Sequence, residues 1–282
     1  MRDTVTTFSD TDIEGLAPAM KVGILATVND EGLPHMTLLS SLRAAGPAQL
    51  TFGQFTEGLS KEHVRRNPRT GFLVMSLQKQ LWHGTATFTH TQKAGPEYEA
   101  YNNEPLFRYN SYFGIHTVYY LDLVEQSGRH DLPMGAVVTA SVVTATARAL
   151  TGPVRSCVAL NPWTRGLMSG MGNLKFASYV AADGYPRIIP VLQAQAASRD
   201  RIIFSPIVYG ADLEEIPGGA SLALFGMTLK MEDALMRGRY VGMQRFAGIR
   251  CGVAQIDWLY NSMPPVPGQV YPPVPLQTVS RF

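Results

Sequence analysis

Ser60 and Lys61 stand where a strand-like run gives way to a helical stretch, within FGQFTEGLSKEHVRRNPRTGFLVMSL beginning at Phe52. The first turn of a helix points backbone amides outward and carries the positive end of the helix dipole. A hydroxyl donor and an ammonium added there make a cradle for a phosphate group. Taken alone, the same pair also reads as an N-capping serine and a solvated lysine, and Arg65 and Arg66 beyond them as a solvated helix face. A second group of candidates follows in Trp82, His83, Thr85 and His90. Beyond it lie Tyr98, Tyr101, Tyr119 and Tyr120, together with Tyr109, Tyr112, Phe113 and His116 at helical spacing. Aromatic rings stack on planar ligands and imidazole moves protons near neutral pH, so His83 and Trp82 are the candidates for reacting side chains. Core packing accounts for most of the others, the helically spaced set reading as a buried stripe. His35, at a hairpin exit, is unremarkable there.

Other chemistries find little footing. No Ser/His/Asp order, carboxylate pair or GxGxxG after a strand stands out, which argues against hydrolase and Rossmann readings. Cys157 and Cys251 lie far apart and lack CxxC or Cys/His spacing, so no metal site is expected and both read as ordinary buried thiols. The formal charge of +2, from 24 Lys plus Arg against 22 Asp plus Glu, sets up no field to gather nucleic acid or a membrane surface. Any anion site must therefore be local. The N-terminus has no apolar signal core, and no run reaches the roughly 20 apolar residues of a membrane span. A cytoplasmic protein is expected. Hydrophobic residues at 45% and charged residues at 16% allow two cores in 282 residues and leave little charge to keep subunits apart.

The elements that must position Ser60 and Lys61 occur twice. VNDEGLPHMTLL from Val28 matches VAADGYPRIIPVL from Val180, with Gly32 over Gly184 and Pro34 over Pro186, both 152 residues apart. The same offset sets Phe52 over Phe204, Met75 over Met227 and Leu77 over Leu229. In each copy a short helix (10–20 or 161–171) leads into an apolar run (22–28 or 174–181), and glycine then supplies the positive φ of a tight hairpin turn. The first copy continues with strands at 36–42 and 49–53, a helix at 60–66 ended by Asn67-Pro68, and a strand at 71–77. Long strands at 80–91 and 115–127 enclose a helical excursion at 96–108. Six strands with little helix predict a small β-barrel, so the fold class is mainly β with two tandem barrels. Residues 1–130 form the first, 131–153 a linker helix, 154–262 the second, and 263–282 a Pro-rich arm.

This order resembles the FMN-binding split β-barrels related to pyridoxamine 5'-phosphate oxidase. The resemblance runs from Met20 to about Thr91, through KVGILATVNDEGLP, HMTLLSSL, LTFGQFT, the Ser-Lys pair, a helix and NP. It implies that backbone groups of Met36, Thr37, Leu38, Leu39 and Ser40, and of Gln54, Phe55 and Thr56, flank the isoalloxazine ring, with Ser60 and Lys61 on the phosphate of FMN. It also implies an FMN-dependent oxidoreductase acting on a small substrate or electron carrier, as a homodimer or an intrachain pseudo-dimer; with the phosphate pair in one copy alone, one flavin site per chain is expected. Three departures stand beside it. Lys61 lies one residue nearer the NP pair than in many members, and the chain ends PLQTVSRF where the oxidase carries its substrate motif. In the second copy Asp212 and Leu213 replace the Ser-Lys pair, followed by Glu214 and Glu215, which repel phosphate. A non-catalytic flavin-binding or sensing module, and a haem- or deazaflavin-binding barrel, are the alternative expectations.

Overall fold

The computed structural model describes residues 5–55, 58–105, 114–151, 158–262 and 267–275. The chain divides into two compact units, Met1–Leu132 with Ala181–Ile188, and Pro133–Val180 with Ile189–Phe282. In chain order the first sheet comprises β1 (Lys21–Val28), β2 (Pro34–Leu38), β3 (Arg43–Gly46), β4 (Gln49–Gln54), β5 (Arg69–Ser76), β6 (Gln80–Gln92), β7 (Thr117–Gln126) and β8 (His130–Asp131). Helices α1 (Asp10–Leu16), α2 (Leu59–Arg66) and α3 (Pro96–Asn103) accompany it. The second sheet, preceded by α4 (Met134–Ala149) and α5 (Pro162–Ser169), holds β9 (Leu174–Val180), β10 (Pro186–Pro190), β11 (Gln195–Ala196), β12 (Arg201–Phe204), β13 (Ser221–Met227), β14 (Asp233–Phe246), β15 (Ile249–Asn261) and β16 (Gly268–Tyr271). The short helix α6 (Gly210–Glu214) lies between β12 and β13.

The protein is two tandem split β-barrels. The first sheet runs β2-β1-β5-β6-β7-β4-β3 and the second β10-β9-β13-β14-β15-β12-β11, the same order element for element. Even the register repeats: Ile24 faces Leu73, and Phe176 faces Phe225, each 152 residues further on. The β-bulges repeat as well, at Thr85/Ala86 and Phe88/His90 in β6 and at Arg237/Gly238 and Tyr240/Gly242 in β14. A bulge bends and twists its strand, so both barrels curl at matching points.

The copies part between their last long strands. Phe52 faces Tyr119, whereas Phe204, 152 residues on, faces Gly252, only 133 on from Tyr119, so the second copy is 19 residues shorter there. Its strands join through Ala247 and Gly248, both at positive φ as a two-residue hairpin turn requires. The first copy spends those residues on the excursion with α3, which packs on β4 and β7. In the second unit α4 packs on β12 and β15, the equivalent strands. Thr144 Oγ1 accepts the Ser205 amide at 3.1 Å, and Ala147 joins Ile203, Cys251 and Val253 in an apolar cluster.

Several expected boundaries move. The helix expected over 10–20 stops at Leu16, because Pro18 cannot continue it, and Lys21 Nζ donates to the carbonyls of Leu16 and Pro18 at 2.6 and 2.8 Å. The strand expected to reach 42 ends at Leu38, where the Leu39 amide turns to the Gly23 carbonyl, and Arg43–Gly46 forms the separate β3. With β8 this makes eight strands where the periodicity predicted six; β3 and β8 are too short to carry a repeat of their own. Part of the Pro-rich arm is also strand, since Gly268–Tyr271 pairs with β15 at an edge, where proline neighbours are tolerated.

Lys175, in β9, occupies the place held by Gly23 in the first copy and is fully buried, its Nζ donating to the carbonyls of Leu192 and Ala194 at 3.0 and 2.9 Å. Burial brings its amine down from 10.5 to about 8. The unfolded chain therefore binds the extra proton across that interval, so the contribution of Lys175 to stability rises as pH climbs through it. Urea denaturation of the wild type and Lys175→Met at pH 8 and 10.5 is expected to shift their difference toward the wild type by roughly 3 kcal/mol.

Candidate functional site

Helix α2 closes the rim of the first barrel. It is capped by Gly58 at its start and by Asn67, before Pro68, at its end, and carries His63, Arg65 and Arg66 in its last turn, where cations suit the dipole. Val64 anchors it in the apolar core with Leu25, Phe52 and Tyr119. Its start is polar yet enclosed: Ser60 is 1% exposed and Lys61 6%. Thr37 on β2 reaches Ser60, Oγ1 to Oγ at 2.6 Å. A methyl group built on Gly58 would lie 3.6 Å from Lys61 Nζ, so the ammonium folds back toward the residue that caps the helix. A serine hydroxyl and a lysine ammonium, both enclosed, thus stand at one helix start, and these are the donor types that a phosphate group takes.

Strand register explains which expected residues take part. Leu25 pairs with Thr37 and Thr27 with His35, so these four share the face that α2 covers. Met36 and Leu38 pair with Ala26 and Ile24 and point to the opposite face. Leu39 joins the core and Ser40 is half-buried. Of the five, Thr37 alone sends its side chain to Ser60. Gln54 shares the inward face with Phe52; its Oε1 accepts from Tyr119 OH at 3.0 Å and its carbonyl accepts the His116 amide at 3.1 Å. Phe55 packs against the cluster of Tyr101, Ile115, Val118 and Tyr120. Thr56 lies outside the described residues.

Two groups that the spacing alone did not single out belong to this rim. His63 sits edge to face with His35 at 5.1 Å between ring centroids, and its Nδ1 lies 3.1 Å from Thr27 Oγ1. His35, unremarkable by position, is 3% exposed. Arg65 donates to Tyr119 OH at 2.7 Å, while Arg66 pairs with Asp30 at the exposed end of the helix, where such pairs contribute little. Arg65 is therefore tethered to the barrel and not merely solvated.

The other candidates lie elsewhere in the first unit. Trp82 is fully buried, and its indole donates to Asp12 Oδ1 at 2.9 Å, tying α1 to the barrel. Burial pushes the Asp12 carboxyl up, but hydrogen bonds from Trp82 and Ser9 more than offset that, leaving it below its ordinary value. His83, half-buried, meets His130 edge to face at 5.4 Å. Thr85 is fully buried in β6. His90 stacks on Tyr120 at 4.4 Å, and Tyr120 OH donates to Glu97 Oε2 at 2.9 Å. Burial, with Glu97 beside it, pushes the Tyr120 phenol up to about 12. Tyr101 donates to the Ser41 carbonyl at 2.7 Å, beneath Arg43. Tyr98, Tyr101 and Tyr120 thus pack the excursion onto β4 and β7, and His116 Nδ1 lies 2.8 Å from Thr117 Oγ1. Tyr109, Tyr112, Phe113 and Cys157 lie outside the described residues. Cys251 is buried, and desolvation pushes its thiol up to about 11. Among the described residues no group of three or more His, Cys, Asp or Glu side chains is placed to hold a metal ion, and no helix is long and apolar enough to cross a membrane.

The second barrel lacks the cradle. Ile189 stands for Thr37, Asp212 for Ser60, Leu213 for Lys61 and Glu215 for His63. Leu213 is fully buried, and α6 spans only five residues behind Tyr209, which is left-handed at φ 55. An acid and an apolar side chain repel or ignore an anion, where the first copy has a hydroxyl and an ammonium.

Fold and site together define a tandem split-barrel protein, and solved structures similar to it each match about half of the chain or less. They include a candidate pyridoxamine 5'-phosphate oxidase from Lactobacillus delbrueckii (15% identity, TM-score 0.34, covering 45% of this chain and 98% of its own). An FMN-binding protein from Syntrophomonas wolfei (12%, 0.33, covering 39% and 77%) and an F420 reductase (16%, 0.35, covering 43% and 98%) are others. Each aligns with less than half of this chain, and the likeness is one of fold. Neither a protein-family model nor a curated protein matches the sequence.

Proposed function

We propose that the first barrel binds FMN, its phosphate held by Ser60, Lys61 and the start of α2 with Thr37 behind the serine, and that the chain is an FMN-dependent oxidoreductase. The observation that carries this reading is the joint enclosure of Ser60 and Lys61 at a helix start, 1% and 6% exposed. An ammonium and a hydroxyl enclosed at a helix start suit an anion, because little water competes with them there. When bound, FMN supplies the redox chemistry, passing electrons between a nicotinamide or another small carrier and a small acceptor. The protein supplies the anchor: Lys61 offsets phosphate charge, Ser60 donates a hydrogen bond, and the enclosed rim keeps water from competing. In this reading backbone groups of Met36 to Ser40 and of Gln54 to Thr56 flank the ring edge. Trp82 belongs to the core, and His83 is the remaining candidate for proton transfer.

Because the second copy has Asp212 and Leu213 at the equivalent positions, one flavin per chain is the expected ratio. Titrating FMN into the purified protein and comparing flavin absorbance with protein content tests it; a ratio near two would refute a single cradle. Anaerobic addition of NADH or NADPH then separates the enzyme from a binding module. Bleaching of the flavin band is the outcome expected of an oxidoreductase, and a bound flavin that neither nucleotide reduces would overturn that half of the proposal.

A further inference from the structure

A line of side chains leads from Ser60 into the barrel rim and ends on imidazole. Thr37 Oγ1 lies 2.6 Å from Ser60 Oγ and 3.4 Å from His35 Nε2. The His35 and His63 rings meet at 86°, and His63 reaches Thr27 on β1. Thr27, His35 and Ser60 are all buried. The geometry is that of facing elements: β2 presents His35 and Thr37 two residues apart on one face, and α2 lays His63 and Ser60 over them, three residues apart.

A hydroxyl has one proton, so a chain of two hydroxyls runs in one direction or the other. When His35 Nε2 carries a proton, as it must in the imidazolium, Thr37 accepts from it and donates to Ser60. The Ser60 proton is then available to an anion. When Nε2 carries a lone pair, Thr37 donates to His35, Ser60 donates to Thr37, and Ser60 turns a lone pair toward the anion. We propose that His35 is a positioning residue whose protonation sets the donor direction of the Thr37–Ser60 hydroxyl pair, so that phosphate binding tightens as His35 takes up a proton. This rests on the assignment of Ser60 to the phosphate. The imidazolium charge acts in the same sense as the hydroxyl direction. The groups facing His35 are His63 from α2 and Thr27 from β1; Lys61 lies on the same helix, with the Arg66–Asp30 pair at its exposed end.

The test is the dissociation constant for FMN, read by flavin fluorescence between about pH 5 and 8, where histidine changes charge, in the wild type, His35→Phe, His35→Gln and Thr37→Val. Riboflavin is the probe without phosphate. The titration of the phosphate itself is common to all four proteins, so the reading is the ratio of variant to wild-type constants. Losing a charge-assisted donor is expected to weaken the wild type about tenfold for FMN as pH rises across this range, with riboflavin unchanged. His35→Phe should remove that dependence, and Thr37→Val should remove the larger part carried by the hydroxyl pair, leaving only what the imidazolium charge adds directly. His35→Gln, whose amide can donate at every pH, should hold the low-pH affinity throughout. A ratio that stays constant with pH, or a Thr37→Val protein that keeps the wild-type profile, overturns the relay while leaving the FMN site standing. If His35→Phe fails to fold, the near-isosteric Thr37→Val decides alone. A wild type that binds FMN at no pH is a different result, and removes the site and the relay together.

Discussion

Replacing Ser60 and Lys61 together by alanine is expected to weaken FMN binding by roughly 10²- to 10⁴-fold while leaving riboflavin affinity and folding nearly unchanged. The magnitude follows from two hydrogen bonds to a charged group, each contributing about 1.5 to 3 kcal/mol where solvent is excluded. Folding is spared for two reasons. Val64, and neither Ser60 nor Lys61, joins α2 to the apolar core, and Thr37 keeps His35 as a hydrogen-bond partner when Ser60 Oγ is gone. Fluorescence titrations with both flavins, beside a thermal melt, check all three parts. Should the double variant retain FMN as the wild type does, the anchor lies elsewhere and the proposed function goes with it.

Trp82→Ala is expected to cost about 3 to 5 kcal/mol of stability, the range for deleting a large, fully buried aromatic. The ring fills the core beside Phe72 and Val74, and a methyl group built on Gly15 would come within 2.8 Å of it, so α1 is fitted closely against the indole. The truncation also leaves Asp12 without a hydrogen bond that helps keep its carboxyl ionised. Trp82→Phe keeps much of the ring and loses the N–H, so a penalty of about 1 to 3 kcal/mol, the cost of leaving a buried polar group unpaired, is expected. Urea denaturation measures both. A Trp82→Ala protein of wild-type stability that binds flavin but is no longer reduced by nicotinamide would instead make Trp82 a reacting side chain.

Much of the architecture was legible because a duplicated chain repeats its hydrophobic pattern. The 152-residue offset read from Gly32/Gly184 and Phe52/Phe204 is the offset of strand register and of both bulges in each barrel. The helix at Ser60 was equally visible, since Asn67-Pro68 marks its end and the charges of its last turn suit its dipole. The short β3 and β8 were not, because four and two residues hold too little periodicity to register.

The amino-acid sequence by itself determined the two-barrel plan, the helix start carrying Ser60 and Lys61, and the loss of that pair in the second copy, because strands, turns and helix ends are written in local spacing. Only the tertiary structure decided that His35 and His63 meet behind Thr37 and Ser60, that Trp82 holds α1, and that Arg65 is tethered to Tyr119. Those contacts join residues distant in the chain, and which side chains share a face depends on strand register and on where a helix is laid across it.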